Sequence, residues 1–84
     1  MYMDVTRAHK YSANHKEFLI KDNKCGCFYC LKIFNPKEIR YWLKDKGGTA
    51  LCPYCTIDSV IGESSGYPIT NEFLSKMHEH WFRS

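Results

Sequence analysis

The residues best equipped for chemistry in this 84-residue chain are its five cysteines. Four of them form two Cys-x-x-Cys pairs, Cys27/Cys30 and Cys52/Cys55, with twenty-one residues between the pairs. A two-residue gap lets both sulfurs of a pair turn back onto one ion, and two such turns close a tetrahedron of Zn–S bonds about 2.3 Å long. The spacing therefore predicts one structural zinc ion held by Cys27, Cys30, Cys52 and Cys55. A site closed in this way contributes folding free energy and leaves no position for a substrate or a catalytic water. Cys25 is the odd thiol. It could replace Cys27 as a ligand, since Cys25 to Cys30 also spans a loop, although the two-residue spacing favours Cys27; otherwise it is a free thiol beside the site.

Other cysteine chemistries fit less well. A disulfide framework is disfavoured by the odd count and by the polar start, Met-Tyr-Met-Asp-Val-Thr-Arg, which carries no export signal. A thioredoxin-like redox pair needs a strand, a crossover helix and a parallel strand around it, and the chain is too short to supply them twice. A thiol redox sensor at Cys25 stays open as a weaker reading. Gly62-Glu63-Ser64-Ser65-Gly66 matches the Gly-x-Ser-x-Gly nucleophile pattern, but that motif has meaning only on the sheet of a large hydrolase. A zinc-stapled nuclease would need a histidine between the pairs, and none lies between Cys30 and Cys52. No carboxylate cluster could hold Mg²⁺ for phosphodiester chemistry. The expectation is a protein that is not an enzyme.

Positioning four thiolates requires a small α+β domain, one unit over residues 1–84, in which the metal supplements a marginal apolar core. Residues 1–11 lack periodicity and are expected to be loosely held. Asn14 with Glu17 three residues later predicts a capped short helix through Phe18, Leu19 and Ile20. The zinc module spans 25–62. Gly26 is expected to permit the tight turn of the first knuckle, and Phe28 and Tyr29 to shield the sulfurs. Asn35-Pro36 reads as a helix start, and Ile39, Trp42 and Leu43 at helical spacing predict a basic helix over 36–44 that ends at Gly47-Gly48. Thr49-Ala50-Leu51 is a short strand feeding the second pair. Ile57, Val60 and Ile61 predict another helix, growing from the second knuckle as in treble-clef modules. Ser64 to Pro68 is a turn, and Thr70 or Asn71 caps a C-terminal helix over 70–83 with Phe73, Leu74, Met77 and Trp81 on one face. His9, His15, His78 and His80 read as surface, capping or helix-edge residues rather than ligands.

Charge bears on partners. The net charge of +3 is concentrated in residues 25–55, which hold five basic and two acidic residues, whereas 56–84 are acidic. Lys32, Lys37, Arg40, Lys44 and Lys46 could meet phosphates, with Tyr41 and Trp42 stacking on bases, or the same face could dock a protein. Protein interaction or self-association is the first expectation and nucleic-acid binding the alternative. No apolar run approaches the roughly eighteen residues of a membrane span, and a cytoplasmic location is expected.

Three stretches carry a resemblance: Cys-Gly-Cys-Phe-Tyr-Cys, then Phe-Asn-Pro-Lys-Glu-Ile-Arg-Tyr-Trp, then Ala-Leu-Cys-Pro-Tyr-Cys-Thr-Ile-Asp-Ser-Val-Ile-Gly, followed by Phe-Leu-x-x-Met before Trp-Phe. Over residues 12–82 the chain resembles a family of small bacterial cytoplasmic zinc-binding proteins. The resemblance implies Cys27, Cys30, Cys52 and Cys55 as the metal set and marks Cys25, Asp58, Ser59 and Gly62 as family-typical. It implies no activity. Thr56 departs from it, standing where glycine is expected.

Overall fold

The computed structural model describes residues 5–44 and 46–82; expectations that fall on residues 1–4, 45 and 83–84 lie outside the described residues. The chain opens with α1 (Val5–Ala8), which continues as a 3₁₀ turn, and then α2 (Lys16–Leu19). Five short strands follow: β1 (Cys25–Cys27), β2 (Ile33–Phe34), β3 (Trp42–Leu43), β4 (Thr49–Ala50) and β5 (Val60–Gly62). The last element is α3 (Asn71–Phe82).

Strand β1 is the centre. It pairs antiparallel with β2 and β5, setting Cys25 opposite Phe34 on one side and Gly62 on the other, and Cys27 opposite Val60. Side chains alternate across a strand, so β1 serves two cores. Cys25 and Cys27 join Leu19, Phe34, Ala50, Cys52 and Val60 on the sulfur side. On the other side Phe28 and Ile61 pack with Ala8, Ile69, Phe73, Leu74 and Met77, most of which come from α3. Gly26 faces α3 too. A methyl group there would lie 2.7 Å from Leu74 Cδ1, so this glycine lets the helix lie close to the sheet rather than making the turn expected of it. Gly62 is needed for the same reason, since a Cβ would collide with Leu19 and Asp22.

Helix α3 forms as the periodicity predicts. The Thr70 hydroxyl accepts from the Phe73 amide at 3.1 Å, capping an end whose amides lack partners, and Phe73, Leu74 and Met77 are fully buried. Trp81 is more than a third exposed, but its indole N–H donates to the Val5 carbonyl at 2.9 Å. That bond helps hold α1 against α3, where Ala8 is buried, so the stretch expected to be loose is packed from Val5 onward.

Two predicted helices are strands or turns. Asn35 caps as expected, its Oδ1 accepting from the Lys37 amide and Glu38 closing the capping box. The helix nevertheless ends after one 3₁₀ turn, Pro36–Glu38, and Ile39 is already extended. Residues 42 and 43 pair with Ala50 and Thr49 instead, where an aromatic side chain suits a strand and the Trp42 ring meets His15 edge-on at 6.3 Å. Likewise Val60 and Ile61 form β5, where β-branched side chains suit a strand whose three residues are all buried. No helix therefore grows from the second knuckle, and the treble-clef expectation is corrected. Asn14 is not a helix cap either: it has φ 52° and its Oδ1 accepts from the Gly47 amide at 3.3 Å.

Among the described residues no helix is long and apolar enough to cross a membrane.

Candidate metal centre

The two Cys-x-x-Cys segments adopt one backbone shape. In the first, the Cys27 amide donates to the Lys32 carbonyl and the Leu31 amide returns to the Cys27 carbonyl; in the second, Cys52 donates to Ile57 and Thr56 returns to Cys52. Leu31 and Thr56, each just after the second cysteine of its pair, take the left-handed conformation with φ of 66° and 65°. That residue reverses the chain so that the second sulfur faces the first. In both knuckles a tyrosine amide, Tyr29 or Tyr54, donates to the leading sulfur at 3.4 Å.

These turns bring Cys27, Cys30, Cys52 and Cys55 together, with all four sulfurs within 4.8 Å of one another. The sulfurs of Cys27 and Cys55 lie 3.6 Å apart, as do those of Cys30 and Cys52. A tetrahedron with 2.3 Å bonds has edges of about 3.8 Å, so the cluster already has the dimensions of a four-thiolate metal site. A disulfide would need a separation near 2.05 Å, and all five cysteines are free.

Electrostatics say what the cluster lacks by itself. Burial is the main cause pushing the Cys30 thiol up to about 11, and burial with neighbouring cysteines raises Cys55 well above the ordinary thiol range. Cys27 goes the other way. Burial opposes its ionisation, but the Ser59 hydroxyl and the Cys30 and Tyr29 amides outweigh it and lower its pKa. Ser59 is 2% exposed and its Oγ lies 3.0 Å from Cys27 Sγ. A divalent cation among the sulfurs would favour the thiolate at every position.

Cys25 does not belong to this group. It is completely buried, its thiol donates to the Phe34 carbonyl at 3.4 Å, and burial pushes its pKa far up. The four sulfurs that lie together are those of the other cysteines, which corrects the alternative-ligand reading of Cys25.

Comparison with family models, curated proteins and solved structures gives no match for this chain. The site's chemistry stands on its own geometry.

The basic residues are only partly gathered. Lys37 and Arg40 border a depression of about 320 Å³ that also meets Glu38, Pro53 and Tyr54. Lys32 Nζ sits 5.4 Å from the Tyr54 ring centre. Lys44 and Lys46 are exposed on the β3–β4 connection, and Tyr41, 69% exposed, precedes β3. Trp42 is not a surface residue; it lies half-buried beneath Lys16 Nζ at 5.3 Å.

The roles of two residues escaped the sequence reading. Ser59 was marked by the resemblance without a role, and only its placement 3.0 Å from Cys27 Sγ in the fold makes it a partner of the sulfur. His15, expected at the surface, is buried: Nε2 accepts from the Ala50 amide at 3.0 Å, so Nδ1 carries the proton given to the Tyr11 carbonyl at 2.8 Å. It ties the N-terminal segment to the strand that leads into Cys52. The neighbouring Asn14-His15-Lys16 run and the Gly47-Gly48 turn are the only hints, and they become one only when folded together.

Proposed function

We propose that this chain is a non-enzymatic, zinc-stapled module that binds another protein. An all-thiolate tetrahedral set favours zinc or iron among the first-row metals, and zinc suits a closed site whose purpose is to fold the chain. Free thiols are maintained in a reducing compartment, which agrees with the resemblance to bacterial cytoplasmic proteins.

The observation that carries the binding role is an aromatic surface beside the first knuckle. Tyr29 and Phe82 meet edge to face at 4.9 Å, and His78 lies within 6.0 Å of both rings. Trp81 and His9 extend the surface at 4.1 Å from each other. Tyr29 and Phe82 are each at least 40% exposed, with Phe28 beneath them fully buried. Rigid rings held by a covered base and open to solvent are the residues that dominate protein contacts.

Elemental analysis of purified protein is expected to give one zinc per chain, and chelation to remove tertiary structure; a thiolate-to-iron absorption band would replace zinc by iron. For the partner, Tyr29→Ser/Phe82→Ala should keep the zinc and lose a discrete protein that wild type retains at high salt. Retention of that protein by the variant, or its release by moderate salt, overturns the aromatic docking face.

A further inference from the structure

We propose that the second knuckle and the β3–β4 hairpin form a site for single-stranded nucleic acid. None of the residues assigned to it belongs to the aromatic group of Tyr29, His78, Trp81 and Phe82.

Charge complementarity carries it. Lys37 and Arg40 line the depression described above together with Tyr54, and Lys32 Nζ lies 5.4 Å from the centre of the Tyr54 ring. Glu38 is the opposing charge, but its carboxylate is engaged: the Tyr54 hydroxyl donates to one oxygen and the Asn35 amide to the other at 3.1 Å. Three cations therefore face solvent against one carboxylate already held by two donors. The Leu51 amide donates to the Tyr41 carbonyl at 3.1 Å, which fixes Tyr41 beside the strand leading into Cys52. Tyr41 is the most exposed large apolar side chain among the described residues. Lys44 and Lys46 flank Asp45 in the sequence, so the β3–β4 connection adds one net positive charge.

The choice of single strand over duplex follows from shape. A major groove accepts a helix or a two-stranded ribbon, but the basic segment contains only one 3₁₀ turn, and β3 and β4 are two residues each. An exposed ring next to Arg40 in the sequence instead suits unpaired bases, which stack on aromatic side chains while Lys and Arg follow the backbone. Tyr41 is assigned the stacking role, and Lys32, Lys37 and Arg40 the phosphates.

The test is fluorescence anisotropy of the metal-loaded full chain with labelled oligo(dT), oligo(U) and a duplex of equal length, each titrated over a range of salt. The single strands should bind more tightly than the duplex; preference between dT and U reports whether the sugar or the thymine methyl is also read, and either supports the site. Arg40→Ala should make the slope of log affinity against log salt shallower by about 0.7 for the lost phosphate contact. Tyr41→Ala should weaken binding about 5- to 150-fold with that slope unchanged. Lys76→Ala, a charge change on exposed α3, should do neither. Zinc content and circular dichroism verify that each variant folds. Absence of binding, equal affinity for duplex, or a Tyr41→Ala variant that binds like wild type overturns the proposal. A Tyr29→Ser/Phe82→Ala variant that keeps oligonucleotide binding while losing its protein partner separates this site from the docking face.

Discussion

Thr56 holds a left-handed backbone with φ 65° although its branched Cβ crowds that conformation. Leu31 does the same at the matching position of the other knuckle. Glycine would relax both, yet the two substitutions are expected to differ in sign. Thr56 is exposed and makes only a local hydroxyl bond to the Cys55 carbonyl, so Thr56→Gly should stabilise by up to about 1 kcal/mol, strain relief exceeding the added chain entropy. Leu31 packs against the α3 core, so Leu31→Gly should destabilise by about 1–2 kcal/mol as apolar contact is lost. Denaturant midpoints of the metal-loaded variants decide. Ser59 is a sharper test of the site itself. Ser59→Ala removes the hydroxyl beside Cys27 without adding bulk, and should lower metal affinity about 10- to 100-fold in competition with a chromophoric chelator. An unchanged affinity would mean that the hydroxyl only fills space.

The elements show what sequence pattern can and cannot carry. The ligand set was legible because each Cys-x-x-Cys turn is local: four residues contain the whole instruction. Helix α3 was legible because its cap and its buried face, Thr70 through Met77, repeat at helical spacing. Residues 36–44 and 57–61 were misread because their apolar residues suit either period, and the deciding partners are distant. Trp42 is a strand residue because of Ala50, and Val60 because of Cys27. Gly26 was misassigned for a related reason, since its requirement comes from Leu74, far along the chain. Gly26→Ala is therefore expected to cost about 1–3 kcal/mol through overpacking. Combining it with Leu74→Val should recover part of that loss, so the double variant is more stable than the two single changes sum to. Strict additivity would show that the glycine serves backbone conformation instead.

At the scale of the whole molecule, a metal held by the four sulfurs would join two segments that the sequence separates, and its binding would be coupled to protons. Cys30, pushed up to about 11, and Cys55, pushed higher still, are protonated at neutral pH without a cation. Each must release its proton to become a ligand, so binding should liberate at least two protons per ion. Bound thiolates have a depressed folded-state pKa, and the stability they supply is present above the ordinary thiol range and lost as pH falls. Affinity should drop by at least about a hundred-fold per pH unit on acidification below neutrality. Calorimetry in buffers of different ionisation enthalpy counts the protons; a count near zero would mean that the thiols are already ionised. The double-faced strand β1 has a further consequence, for the order of events during synthesis. Everything on its sulfur side, from Leu19 to Val60, has been translated before α3 begins at Asn71. A nascent chain that took up an ion at this stage would do so before α3 covers the opposite face, and the last helix would close over a strand whose register the ion had already set.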